Sequence, residues 1–218
     1  MTGVAFSTPA LLAFVVSGAL ALYAFERGLR RLAIVTKPLT TLLLLGVVGR
    51  PTSVFSQLVW AGLIASVLGD AALLGSGSTP FMIGLGCFLI AHALYVVAFA
   101  AVGSWSAASW VGLALVGLAT PMLLRVLWPR VGSLRMPVLV YAGALSAMVV
   151  AAFSTLGGGL SPAAAGAAAG GAVLFYISDS SLAIDRFVRP IRHGSLLSVG
   201  VYWLGQLGIA VAAHGRIP

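Results

Sequence analysis

Acidic residues are nearly missing from this chain: Glu26, Asp70, Asp179 and Asp185 are the four among 218 residues. Lysine occurs once, as Lys37, and cysteine once, as Cys87. A lone cysteine excludes an intramolecular disulfide and a thiolate metal cluster, and inside an apolar run it reads as a small packing residue. Charged residues make up 7% of the chain, against about 25% in soluble domains. That shortage leaves no stretch able to form the surface of a soluble domain.

What the chain does have is apolar surface, at 61% hydrophobic residues and a mean hydropathy of +1.12. The composition is that of an all-α, polytopic membrane protein, expected to form a single transmembrane helical domain over residues 1–218. The net charge of +8 does not point to nucleic acid, because the basic residues lie in the gaps between apolar runs and report topology.

Eight spans of about 20 residues fit: 9–25, 34–49, 54–74, 80–102, 107–127, 137–155, 163–184 and 195–213. Turn signals separate them at Arg50-Pro51, Gly75 to Pro80, Gly103 to Ser106, Pro129, Gly157 to Pro162 and Pro190 to Gly194. No basic residue precedes the first apolar run, whereas Arg27, Arg30 and Arg31 follow it, so it reads as a retained helix rather than a signal peptide. Counted on alternate sides, Arg27, Arg30, Arg31, Lys37, Arg125, Arg130, Arg135, Arg186, Arg189 and Arg192 fall at one end, Arg50 and Arg216 at the other. The positive-inside rule then places the chain in the cell membrane with both termini outside the cytoplasm.

The anomaly is Asp179, between two serines in GGAVLFYISDSSLAIDRF. A carboxylate in a spanning helix costs about 2.5–3.5 kcal/mol on insertion scales, so it is kept where it is paired, hydrated or used. Asp70 occupies a matching position: GLIASVLGDAAL and GAVLFYISDSSL share Gly, Asp eight residues on, and Leu three further. Four spans separate the two segments, which suggests two parallel four-helix halves. At 1.5 Å per residue both aspartates lie roughly 7–10 Å from the inner ends of their spans. Tyr202 is level with them, Lys37 is near the inner mouth, and Gln206 and His92 lie deeper, forming a polar layer in the cytoplasmic half.

Two carboxyl groups brought together in a low-dielectric site share a proton, because the first charge formed opposes the second. Asp70 and Asp179 are therefore candidate acid and base; the structural alternative is that each pairs with Lys37, Arg186 or a tyrosine to fix helix packing. Candidate binding residues around them are Lys37, Ser66, His92, Tyr95, Ser178, Arg186, Tyr202 and Gln206. Asp185 and Arg186 read as a helix-end ion pair, and Lys37 with Pro38 as a helix start, where proline is at home. Glycines such as Gly84 and Gly86 read as close helix packing. The three histidines fall at different depths, so no metal site is expected.

The segments TKPLTTLLLL, GLIASVLGD, FMIGLGCFLIAHALY, LFYISDSSLAIDRF and YWLGQ, in this order and spacing, resemble the YhhN-like lysoplasmalogenase family of integral membrane hydrolases. The resemblance implies an eight-helix enzyme that hydrolyses the vinyl ether bond of a lysophospholipid drawn from the bilayer, giving a fatty aldehyde and a glycerophospho-base. It maps the catalytic aspartates onto Asp70 and Asp179 and a basic residue onto Lys37, with no metal or organic cofactor. The fifth and sixth spans carry no matching motif. Competing readings of the same aspartates are a proton-coupled transporter and an intramembrane aspartyl protease, although Val67 stands where that protease signature has a second glycine.

Overall fold

The computed structural model describes residues 8–194 and 196–214. Its helices are α1 (Thr8–Glu26), α2 (Arg30–Val48), α3 (Val54–Ala72), α4 (Ser78–Val102), α5 (Ala107–Leu127), α6 (Arg135–Ser154), α7 (Pro162–Phe187) and α8 (Val201–His214), the last entered through a π-helical turn, Leu196–Gly200. Among the described residues, eight helical segments are long and apolar enough to cross a bilayer. The chain is a multi-pass membrane protein.

Local chemistry sets several of the boundaries. Ser53 and Ser56 start α3 by exchanging hydrogen bonds, each hydroxyl accepting the other residue's backbone N–H at 3.2 and 3.0 Å. Ser161 caps α7 ahead of Pro162, which occupies the first helical position. Helix α2 departs from expectation: it begins at Arg30, so Pro38 lies inside it. Lys37 is thereby carried into the span and buried, instead of standing at its mouth. The expected start of the eighth span, Ser195, and the outer basic residue Arg216 lie outside the described residues.

Sequence neighbours pair into hairpins, α1 with α2, α3 with α4, α5 with α6 and α7 with α8. Six helices close a ring in the order α2, α3, α4, α6, α7, α8, while α1 packs outside on α2 and α5 outside on α6. These principal contacts are unchanged when every helix is replaced by the one four places on: α2 against α8 becomes α6 against α4. Helices α4 and α5, although consecutive, pack on α6 rather than on each other.

Two contacts fix the helices that carry the aspartates. A Cβ on Gly205 would lie 2.8 Å from the Gly171 carbonyl oxygen, so α7 and α8 touch backbone to backbone. On α3, a Cβ on Gly69 would lie 2.7 Å from the Phe88 ring of α4. Gly84 also packs closely, against Leu73, but Gly86 has open space beside it, contrary to its expected packing role.

Candidate active site

Asp70 is fully buried near the C-terminal end of α3, where α2 and α8 supply its partners. Its Oδ1 pairs with Lys37 Nζ of α2 at 3.3 Å, and its Oδ2 accepts from the hydroxyls of Thr41 (2.5 Å) and Tyr202 (2.9 Å). Lys37 and Thr41 are one helical turn apart on the buried stripe of α2, which is why both reach the same carboxyl group. Behind them, Trp203 Nε1 donates to Thr41 Oγ1 at 3.1 Å. Tyr95 donates to Gln206 Oε1, and Gln206 Nε2 donates to Ser66 Oγ, both at 2.8 Å. Ser66 in turn donates to the Gly62 carbonyl of its own helix and does not reach Asp70. Tyr95, Ser66 and Gln206 thus form a scaffold that orients α3 and α8 around Asp70.

Asp179 sits on α7 with different partners. Its Oδ2 accepts from the Tyr141 hydroxyl of α6 at 2.5 Å, and His92 Nε2 of α4 stands 3.6 Å from the same oxygen. His92 is entirely buried, with its ring edge-on to Tyr141 and Phe175, and neither ring nitrogen has a hydrogen-bond partner. It stands behind Asp179 and is not among the residues lining the cavities that the aspartates face.

Both aspartates front one polar cavity, whose wall also includes Lys37, Ser178, Ser198 and Tyr202, with Phe88 and Leu182 as its apolar side. Ser178 donates to the Ser198 carbonyl at 2.7 Å, tying α7 to the π-helical turn. Asp179 faces a second, apolar cavity as well, between α4, α5, α6 and α7. Among the described residues no group of three His, Cys, Asp or Glu side chains is placed to hold a metal ion.

Arg186 departs from its expected pairing. Its guanidinium lies 4.9 Å from the centre of the Phe81 ring, while Asp185 accepts the Ile191 N–H at 2.7 Å and shapes the turn after α7. Adjacent helical residues point to different faces, so a side-chain pair at this spacing is geometrically disfavoured.

What the arrangement can do chemically is hold two carboxyl groups on one cavity in unlike settings, one against an ammonium and one against a tyrosine hydroxyl and an imidazole. The YhhN family model matches residues 32–213. The chain belongs to the YhhN family. Among its relatives, a human protein named Lysoplasmalogenase TMEM86B is 35% identical over 75% of this chain and 66% of its own length. An Escherichia coli O157:H7 protein named Uncharacterized membrane protein YhhN is 32% identical over 79% of this chain and 82% of its own. A Mycobacterium bovis protein named Lysoplasmalogenase is 36% identical over 56% of this chain and 46% of its own. The chain thus spans just under two thirds of the first of these and under half of the last. No solved structure matches.

In this YhhN-family chain the structure adds residues that the sequence did not single out. Thr41 was signalled by its four-residue spacing from Lys37, and Trp203 by its place beside Tyr202 in YWLGQ. Tyr141 had no such signal: it lies in MPVLVYAGAL, the only polar group of a run without a recognised motif.

Proposed function

We propose that this protein hydrolyses the vinyl ether bond of a lysoplasmalogen, releasing a fatty aldehyde and a glycerophospho-base. The observation that carries the reading is the single cavity fronted by Asp70 and Asp179 within the spanning region. Membership in a family with curated members named lysoplasmalogenase supports the choice of substrate.

Lys37 is the counter-ion of an ionised Asp70, and Asp179, which is hydrogen-bonded by the Tyr141 hydroxyl and has neither lysine nor arginine in contact, carries the proton. Asp179 gives that proton to the β-carbon of the vinyl ether, leaving an oxocarbenium ion that the Asp70 carboxylate stabilises. Water attacks the cation and passes a proton to Asp70, forming a hemiacetal. Asp70 then returns this proton to the ether oxygen as the C–O bond breaks, and the hemiacetal hydroxyl proton restores Asp179. The sum is one water consumed, with aldehyde and alcohol formed.

The substrate is a lysophospholipid drawn from the bilayer. The helix ends bearing Arg27, Arg30, Arg31, Arg125, Arg130, Arg135 and Arg186 face the cytoplasm, so the site opens in that half of the cell membrane and both chain ends lie outside. Cysteines placed at Arg130 and Arg50 should then label from opposite sides of sealed vesicles; labelling from the same side would refute this topology.

Aldehyde release from lysoplasmenyl-phosphoethanolamine by purified protein, with the matched ester lysolipid as control, tests the chemistry. Aldehyde is expected from the vinyl ether alone, with a loss of at least a hundredfold in both Asp179→Asn and Asp70→Asn. Full activity in either folded variant would remove the two-carboxylate mechanism, and no aldehyde from the wild type would remove the activity.

A further inference from the structure

The apolar cavity beside Asp179 is walled by Phe81 and Leu85 of α4, Leu123 and Leu127 of α5, and Val138 and Leu145 of α6. Its polar groups, Tyr141, Asp179 and Ser180, come from α6 and α7. Because α4 and α5 both pack chiefly on α6, the cavity lies in the space between these two helices. From Asp179 to Phe187, which also lines this cavity, α7 runs eight residues, or about 12 Å.

Asp179 and Leu182 line this cavity and the polar one alike. They are three residues apart on one face of α7, with Asp179 at the junction and Leu182 one turn nearer the basic end. The two cavities therefore share Asp179 and Leu182 as a common wall, one being apolar and the other holding Lys37, Asp70, Ser178, Ser198 and Tyr202.

We propose that the apolar cavity is the subsite for one unbranched hydrocarbon chain, and that Leu182 divides it from the arm that takes the polar head of the same molecule. The inference rests on the vinyl ether reading and gives that substrate a bent pose with its scissile carbon at Asp179. The occupant follows from chemistry: an ammonium, carboxyl groups and hydroxyls on one side match the phosphate, amine and hydroxyl of a glycerophospho-base head, and the aliphatic wall on the other matches a hydrocarbon. The wall they share at Asp179 is what makes them two arms of one site. A second chain on the same head would have to enter the arm that carries the charges, which disfavours two-chain lipids.

The test uses vinyl ethers of glycerophosphoethanolamine with alkenyl chains of four to ten carbons, each below its critical micelle concentration so that the chain leaves water on binding. Wild-type kcat/KM is expected to rise about fourfold per methylene, the equivalent of about 0.8 kcal/mol. Leu123→Trp and Ala183→Trp, which fill the cavity, should flatten that dependence. Ala147→Trp, in a separate cavity toward the other end of α6, should leave it intact. Leu182→Ala should raise KM at least tenfold while kcat changes less than twofold.

A chain-length dependence that survives both cavity-filling variants, or that Ala147→Trp abolishes, would overturn the subsite. A wild type that turns over all chains equally would assign the cavity to bilayer lipid and overturn it too, and a Leu182→Ala effect confined to kcat would remove the divider. If the wild type hydrolyses no vinyl ether, that reading fails separately. The subsite is then read by the thermal midpoint with alkyl ethers of the same chain lengths: a chain-dependent rise lost in Leu123→Trp supports it, and no rise overturns it.

Discussion

Removing the ammonium of Lys37 would leave the Asp70 carboxylate buried without its counter-ion. Breaking a buried pair from one side typically destabilises a protein by about 3–5 kcal/mol, whereas replacing both partners by apolar groups is often neutral. Lys37→Met is therefore expected to lower the thermal midpoint in detergent sharply, and Lys37→Met with Asp70→Leu to recover most of that loss while remaining inactive. Recovery of stability without activity separates the charge's catalytic use from its packing; a double variant as unstable as the single one would contradict the pairing. His92 differs, since both its ring nitrogens lack partners and it faces Asp179 at 3.6 Å. Its ring is held by Tyr141 and Phe175, so it braces the Asp179 side of the site from behind.

At the scale of elements, the helix pair that joins Asp179 to Tyr202 depends on the absence of side chains. Gly205→Val would push a Cβ to within 2.8 Å of the Gly171 carbonyl oxygen and the Phe175 nitrogen, both backbone atoms of α7. Overpacking of this kind costs about 1–3 kcal/mol, and the separation of α7 from α8 should lower turnover as well. Gly166→Ala on the same α7, where nothing lies within 4 Å of a Cβ, is expected to hold or raise the thermal midpoint. Equal effects from both variants would refute the close-contact argument.

The spans themselves were legible from hydropathy, because apolar length and turn residues decide where a bilayer helix begins and ends; the fifth span, residues 107–127, was read to the residue. The start of α2 is not legible in the sequence, because Pro38 reads as a helix opening whereas the helix continues through it from Arg30. The polar layer was legible because polar residues are rare here and share one depth. Their pairing was not, since depth along a helix says nothing of which neighbour a side chain meets. Asp185 and Arg186 were matched by adjacency, and the helix turned them apart. Tyr141, Asp179's nearest partner, stayed hidden among apolar neighbours.

Over the whole molecule, the ring of six helices with one helix outside each half explains how two aspartates four spans apart reach one cavity. Asp70 and Asp179 occupy equivalent places in a packing order that repeats with a step of four. Their partners do not repeat: Lys37, Thr41 and Tyr202 serve one, Tyr141 and His92 the other. The two halves are alike in packing and unlike in charge, so one carboxyl group meets an ammonium and the other a tyrosine hydroxyl and an imidazole.

That repeating order has a consequence for how the chain can be cut. The connection from Gly103 to Ser106, the N-terminal end of α1 and the C-terminal end of α8 lie at the same end of the helix bundle. A circular permutant that opens between α4 and α5, and joins the C-terminal end of α8 to the N-terminal end of α1 with a flexible linker, keeps every principal helix contact. It should insert with the same orientation, because eight spans read from α5 alternate as eight spans read from α1 do. Such a permutant is expected to retain aldehyde release, and an inactive one that still folds would mean the α4–α5 connection itself shapes the site.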